Sequence, residues 1–155
     1  MDNRPLIPTN VPQDPFSFRV FSEVTSIHLM SHTLLERSLP RGLKAAHFNV
    51  LNYCVRMGDN CTPVQLAKAF NVTKGAMTNT LTRLESRGFI RIESDPLDGR
   101  SKRVFLTHAG REMRRIALQD VSHAFEPIVK GLSTKEYAEA LPLLEKIHAA
   151  LSQFV

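Results

Sequence analysis

The 155-residue sequence has no tryptophan and only two cysteines. It has no unbroken apolar run near the roughly 20 residues a helix needs to cross a bilayer. Two cysteines, Cys54 and Cys61, cannot build the disulfide framework of a small secreted domain, and they fit a reducing compartment. No Cys/His cluster has structural-zinc spacing, so no metal or other cofactor is expected. A phosphate-cradling glycine loop, a metalloprotease helix motif, a nucleophile elbow and paired carboxylates in a plausible cleft are also missing, which argues against an enzyme. The first fifteen residues, MDNRPLIPTNVPQDP, hold four prolines but neither a long apolar core nor a small-residue cleavage site. A flexible arm over 1–13 is expected, with no signal peptide, no membrane partner and a cytoplasmic location.

What is present is ordinary in amount and uneven in placement. A chain of this length with 43% hydrophobic residues suffices for one packed domain with room for dimer helices. Residues 72–115 carry 10 Lys/Arg against 5 Asp/Glu, a surplus equal to the net +5 of the whole chain. Residues 116–155 are mildly acidic, with 3 against 5. A basic field confined to one segment suits a polyanionic partner, although a solvated basic face would give the same count.

Helical signals dominate. Asp14-Pro15 offers a cap followed by proline, and Phe21, Val24, Ile27, Leu34 and Leu35 then recur at helical spacing until Pro40 and Gly42. Phe48, Leu51 and Val55 mark a second helix, ending at Gly58-Asp59-Asn60. Thr62-Pro63-Val64-Gln65 is a capping box that opens a short third helix. Asn71 supplies a turn, and Thr73 caps a fourth helix with Met77, Leu81 and Leu84 on one face, closed by Gly88. Residues 89–92 and 103–106 read as two short strands around a turn-rich, basic tip. A long helix runs from Thr107 to about Lys130. Ser133 and Glu136 make a further capping box for a last helix, inside which Pro142 is expected to cause a bend.

The fold class expected is therefore mainly α with a small β-hairpin wing: a winged helix-turn-helix over 62–107, flanked by N- and C-terminal dimerisation helices at about 15–38 and 111–154. A helix that reads base edges must bury one stripe and present small or polar groups on the other. With Met77, Leu81 and Leu84 inward, the outward set is Thr73, Lys74, Gly75, Thr78, Asn79, Thr82 and Arg83. Asn79 can pair with adenine through two hydrogen bonds, and the threonines suit phosphates or thymine methyls. Arg100, Lys102 and Arg103 place charge on the wing, where it can grip a phosphate backbone or enter a minor groove. Taken singly, a polar helix face and a basic hairpin are common on solvated surfaces. Their order and spacing together point to double-stranded DNA.

The stretch LAKAFNVTKGAMTNTLTRLESRGFIRIESDPLDGRSKRVFLTHAG resembles the core of the MarR family of winged-helix transcriptional regulators. Its marks are the Leu-Ala of the third helix, Thr73, a Leu-Glu pair before Gly88, the Asp-Pro-x-Asp-x-Arg wing and Leu-Thr-x-x-Gly. The resemblance implies that Arg100 is the wing arginine and Asp98 its supporting carboxylate. It also implies a homodimer built from interlocking first and last helices, and a palindromic operator. Two positions depart from the family pattern: Asn79 stands where arginine is frequent, and Gly99 where a second basic residue is. Both lower the expected phosphate grip.

Similar proteins take small aromatic effectors in a crevice between dimer helices and winged domain. His28, His32, Phe48 and Arg56 are the residues that would line it here. His28 and His32 stand four apart, a spacing that suits a metal or a ligand carboxylate and equally suits structural packing. Cys54 and Cys61 admit a redox-sensing role, although packing explains them first. Two further functions compete with DNA binding: a winged-helix module that binds only protein, and a cysteine-based redox-sensing regulator.

Overall fold

The computed structural model describes residues 14–40, 42–58, 60–96, 98, 99 and 101–154. The arm over 1–13 and Arg100 therefore lie outside the described residues. Among those described, six helices and one antiparallel hairpin follow in the order α1 (Phe16–Ser38), α2 (Ala45–Met57), α3 (Pro63–Ala69), α4 (Lys74–Ser86), β1 (Ile90–Ser94), β2 (Lys102–Leu106), α5 (His108–Val129) and α6 (Thr134–Leu151). The chain divides into two units within α1, between Thr33 and Leu34.

The first unit is the body of α1. Arg19 N–H donates to the Pro15 carbonyl at 3.1 Å, so Pro15 holds the cap position expected of Asp14. Phe21 and Ile27, placed on an apolar stripe by their spacing, are exposed together with Phe16, Phe18, Leu29 and Met30, and no residue of α1 is buried.

The second unit contains the core. Leu51, Leu66, Leu81, Leu84, Ile90 and Val104 are essentially fully buried, one or more from each of α2, α3, α4, β1 and β2. Ala117 adds α5 to the same cluster, and Leu35 packs on its edge. Ile90 pairs with Leu106 and Ile92 with Val104, so one face of the hairpin carries all four apolar side chains onto this core. Both strands differ slightly from the sequence expectation, because ladder bonds carry β1 on to Ser94 opposite Lys102.

The caps explain where the short helices stop and start. Thr62 and Gln65 form the reciprocal capping box, each side chain accepting the other's backbone N–H at 3.1 and 2.8 Å. Asn71 (φ 49°) makes the left-handed turn between α3 and α4, and Thr73 accepts from Ala76 N–H. Gly88 (φ 71°) ends α4: its N–H meets the Glu85 carbonyl while Phe89 N–H meets that of Leu84, and Phe89 and Leu84 are both buried. Ser133 and Glu136 cap α6, and donation from Ser133 holds the Glu136 carboxyl below its usual range. Pro142 lies inside α6, and a second proline, Pro127, lies inside α5. No residue of α6 is buried.

Candidate nucleic-acid interface

The exposed face of α4 follows from the helical period. Met77, Leu81 and Leu84 are 3% exposed or less, which pins that stripe of α4 to the core. Thr73, Lys74, Gly75, Thr78, Asn79, Thr82 and Arg83 are all exposed on the rest of the helix. Thr78 and Thr80 donate their hydroxyls to carbonyls one turn back, at 2.8 and 3.1 Å. Gly75 has open space where a Cβ would stand, so another backbone can approach α4 closely there.

Between α4 and the wing runs a groove of about 770 Å³ lined by Thr78, Thr82, Ser101, Lys102 and the first turn of α3. Glu85 and Glu93 also line it. Their carboxylates are engaged: Glu85 accepts Ile92 N–H at 2.9 Å, and Glu93 pairs with Arg91. Lys102 is exposed at this groove.

The hairpin residues divide into two jobs. Arg103 Nε donates to Asp95 Oδ2 at 2.6 Å, and its terminal nitrogen reaches the Asn60 carbonyl at 3.1 Å. Asp95 is 7% exposed, so this is an ion pair at the root of the wing. Arg103, grouped with the DNA-facing cations from sequence, has its guanidinium turned inward because a buried carboxylate needs a charged partner. The Asp95 partnership escaped the sequence reading; its signal was an arginine placed across the hairpin from an Asp-Pro turn. At the tip, Ser101 N–H donates to the Asp98 carbonyl and Asp95 N–H to that of Ser101, closing the turn from the backbone.

Leu-Thr-x-x-Gly also gains a physical meaning. Thr107 Oγ1 donates to the Gly88 carbonyl at 2.6 Å and accepts Gly110 N–H at 3.0 Å, so one hydroxyl joins the end of α4 to the start of α5. A Cβ on Gly110 would stand 2.0 Å from the Phe89 carbonyl oxygen. Only glycine permits that approach.

The residues expected around an effector separate. Phe48 is 6% exposed in the core, where it fills volume and offers no ring to a ligand. His28 and His32 are exposed on α1 with ring centroids 5.9 Å apart. Arg56 is exposed and lines a cavity of about 840 Å³ between the end of α2, α3 and the end of α6, along with Tyr53, Met57, Lys68, Val72 and Leu151. Cys54 is 1% and Cys61 9% exposed; the Cys61 thiol donates to the Gly58 carbonyl. Burial of this kind favours packing over redox traffic, which needs an accessible thiolate. Among the described residues no group of three or more His, Cys, Asp or Glu is placed to hold a metal ion, and no helix is long and apolar enough to cross a membrane.

Residues 41–101 match the MarR family profile. Over 84% of its length the chain is 30% identical to MarR from E. coli, seen in a cysteine-to-serine variant complexed with operator DNA, and it covers 94% of that protein with a TM-score of 0.71. The chain belongs to the MarR family of transcriptional regulators. Two further solved structures share the fold. CouR from Rhodococcus jostii RHA1, bound to p-coumaroyl-CoA, is 20% identical over 87% of this chain and 95% of its own, with a TM-score of 0.74. BpsR from Bordetella bronchiseptica, whose DNA binding is regulated by 6-hydroxynicotinic acid, is 24% identical over 84% of this chain and 98% of its own, with a TM-score of 0.71. In this MarR-family chain the helix-turn-helix is α3 and α4, and the wing is β1, β2 and their connection.

Proposed function

We propose that this regulator binds double-stranded DNA as a homodimer on a palindromic operator, with α4 in the major groove and the wing on the flanking backbone. The observation that carries this reading is the division of α4. One stripe is locked into the core, while small, hydroxyl, amide and basic groups are exposed on the rest of the helix, with Thr78 and Thr82 lining the groove beside the wing. On this reading Asn79 reads a base edge, Thr78 and Thr82 meet phosphates or thymine methyls, and Lys74, Arg83 and Lys102 meet phosphates. Arg100 and Asp98 take the wing roles that the family pattern gives them. The domain limits follow: residues 62–107 engage DNA, and helices at about 15–38 and 111–154 join two copies.

Support for the dimer comes from helices that leave apolar side chains uncovered. Neither α1 nor α6 buries a residue, and α6 exposes Leu141, Leu143, Leu144 and Leu151. Helices gain most of their stability from covering such faces. A second copy that covers them also spaces two α4 helices about 34 Å apart, one turn of B-DNA. The effector reading rests on the cavity beside Arg56 and Lys68, which combines an apolar lining with two cations and suits a small aromatic anion. Such a ligand acts only through its differential affinity for two dimer geometries.

The test is selection of bound duplexes from genomic fragments, followed by two variants. Asn79→Ala is expected to lose about 1–3 kcal/mol of discrimination at one base pair. Lys102→Ala is expected to weaken all duplexes alike and lower the salt slope by about one unit. Absence of retardation for every fragment at low salt overturns the reading.

A further inference from the structure

A second cluster of charge sits where the start of α2 meets the end of α4. His47 occupies the third position of α2 and is 7% exposed. Its Nδ1 accepts the backbone N–H of Lys44, the cap residue of α2, at 3.1 Å. An accepting ring nitrogen carries no proton, so this bond exists only while Nδ1 is unprotonated. The next N–H, of Ala45, donates to Glu36 Oε1 at 2.8 Å, and the Lys44 ammonium lies 4.0 Å from Glu36 Oε2. From the opposite side Arg87, the cap residue of α4, donates to the Gly42 carbonyl and rests 4.8 Å from the Phe89 ring centroid. Glu36 from the end of α1 and His47 of α2 thus take the first two N–H groups at the start of α2, and Arg87 from the end of α4 holds the turn that leads into it.

The electrostatics are one-sided. The charged groups facing His47 are Glu36 from α1, Lys44 at the cap, and Arg83 and Arg87 from α4. Burial first, then Arg87 and Arg83, lower the imidazole's pKa from its ordinary 6.5, with Glu36 opposing and Lys44 adding to the fall. Arg83 also stands on the exposed face of α4, so the helix assigned to DNA shares a residue with this cluster.

We infer that His47 is a proton-responsive positioning residue for α4: neutral, it caps α2 and keeps the seam between α2 and α4 closed, and protonated, it gives up the cap and is repelled by Arg83 and Arg87. The link from this seam to DNA rests on the docking proposed for α4; the seam itself does not. The sign is fixed by which state holds the proton. The folded chain keeps His47 neutral, so the unfolded chain takes up the extra proton as the medium acidifies. The cluster's contribution to stability is complete above the ordinary value of 6.5 and falls away as pH drops below it.

His47→Gln isolates the effect, because glutamine at the third helical position can accept the same cap N–H and does not titrate. Thermal unfolding of the full chain between about pH 7.5 and about pH 5.5 is expected to cost the unmodified protein about 2–4 °C more than the variant. In the unmodified protein, the NMR titration midpoint of the His47 ring is expected below 6.5. An equal loss of melting temperature in both chains, or a midpoint at or above 6.5, overturns the inference. The NMR measurement decides it alone if the variant does not fold. With a duplex selected at about pH 7.5, acidification is expected to reduce the preference over random duplex about tenfold more in the unmodified protein than in the variant. Equal reductions refute the coupling to α4. If neither protein retards any duplex at about pH 7.5, the docking of α4 fails, while melting and NMR still judge the histidine.

Discussion

Glycine serves opposite ends in this chain, and the difference is one of distance. At Gly110 a methyl group would fall within bonding range of the Phe89 carbonyl, so the start of α5 must move away from the hairpin or the strand must yield. Gly110→Ala is expected to destabilise the fold by about 1–3 kcal/mol, read as a fall of several degrees in melting temperature. Gly75 meets nothing within 4 Å. There alanine should raise stability by about 0.5 kcal/mol, because the unfolded chain loses freedom and the helix gains propensity. The same methyl stands on the face assigned to DNA, so duplex affinity should fall as melting temperature rises. Parallel rises in both would remove Gly75 from that contact.

At the scale of the element, the wing is a hairpin whose two arginines of known placement do different work from its lysine. Arg103 holds Asp95 and the Asn60 carbonyl, and Arg91 covers the Phe105 ring while pairing with Glu93. Lys102 is left at the groove. Arg103→Gln removes the guanidinium that donates to a buried carboxylate and should cost about 1–3 kcal/mol of stability. Asp95→Asn should recover part of that loss in the double variant, as a pair in direct contact demands. Strict additivity in denaturant melts would show that the two do not act as a unit. Lys102→Ala should leave melting unchanged and act only on the salt slope. The sequence marked 103–106 as a strand, yet the partner of Arg103 depended on register and on Asn60, 43 residues away.

For the whole molecule, the decisive quantity is uncovered apolar surface. The helix α6 exposes several leucines and buries no residue, the surface that the proposed homodimer would cover. Leu141→Glu combined with Leu144→Glu is expected to convert a dimer into a monomer by analytical ultracentrifugation, and to abolish any dependence of melting temperature on protein concentration. An unmodified protein that sediments as a monomer at micromolar concentration, with a concentration-independent melt, refutes the homodimer. The periodicity of α1 identified an apolar stripe but could not tell whether its cover came from the same chain or another, since burial depends on what lies opposite.

Local chemistry determined the recognition unit in advance. The Thr62-Gln65 box, Asn71, Thr73 and Gly88 act within a few residues of themselves, and the spacing of Met77, Leu81 and Leu84 selects the inward face of α4 without outside help. Tertiary structure decided the rest. It turned Arg103 from a surface cation into the partner of a buried carboxylate, moved Phe48 into the core and left Arg56 at a cavity. It also brought Glu36, His47 and Arg87 to the start of α2 and the turn before it. A side chain's charge and shape are written in the sequence, but its partner is fixed only when distant segments pack.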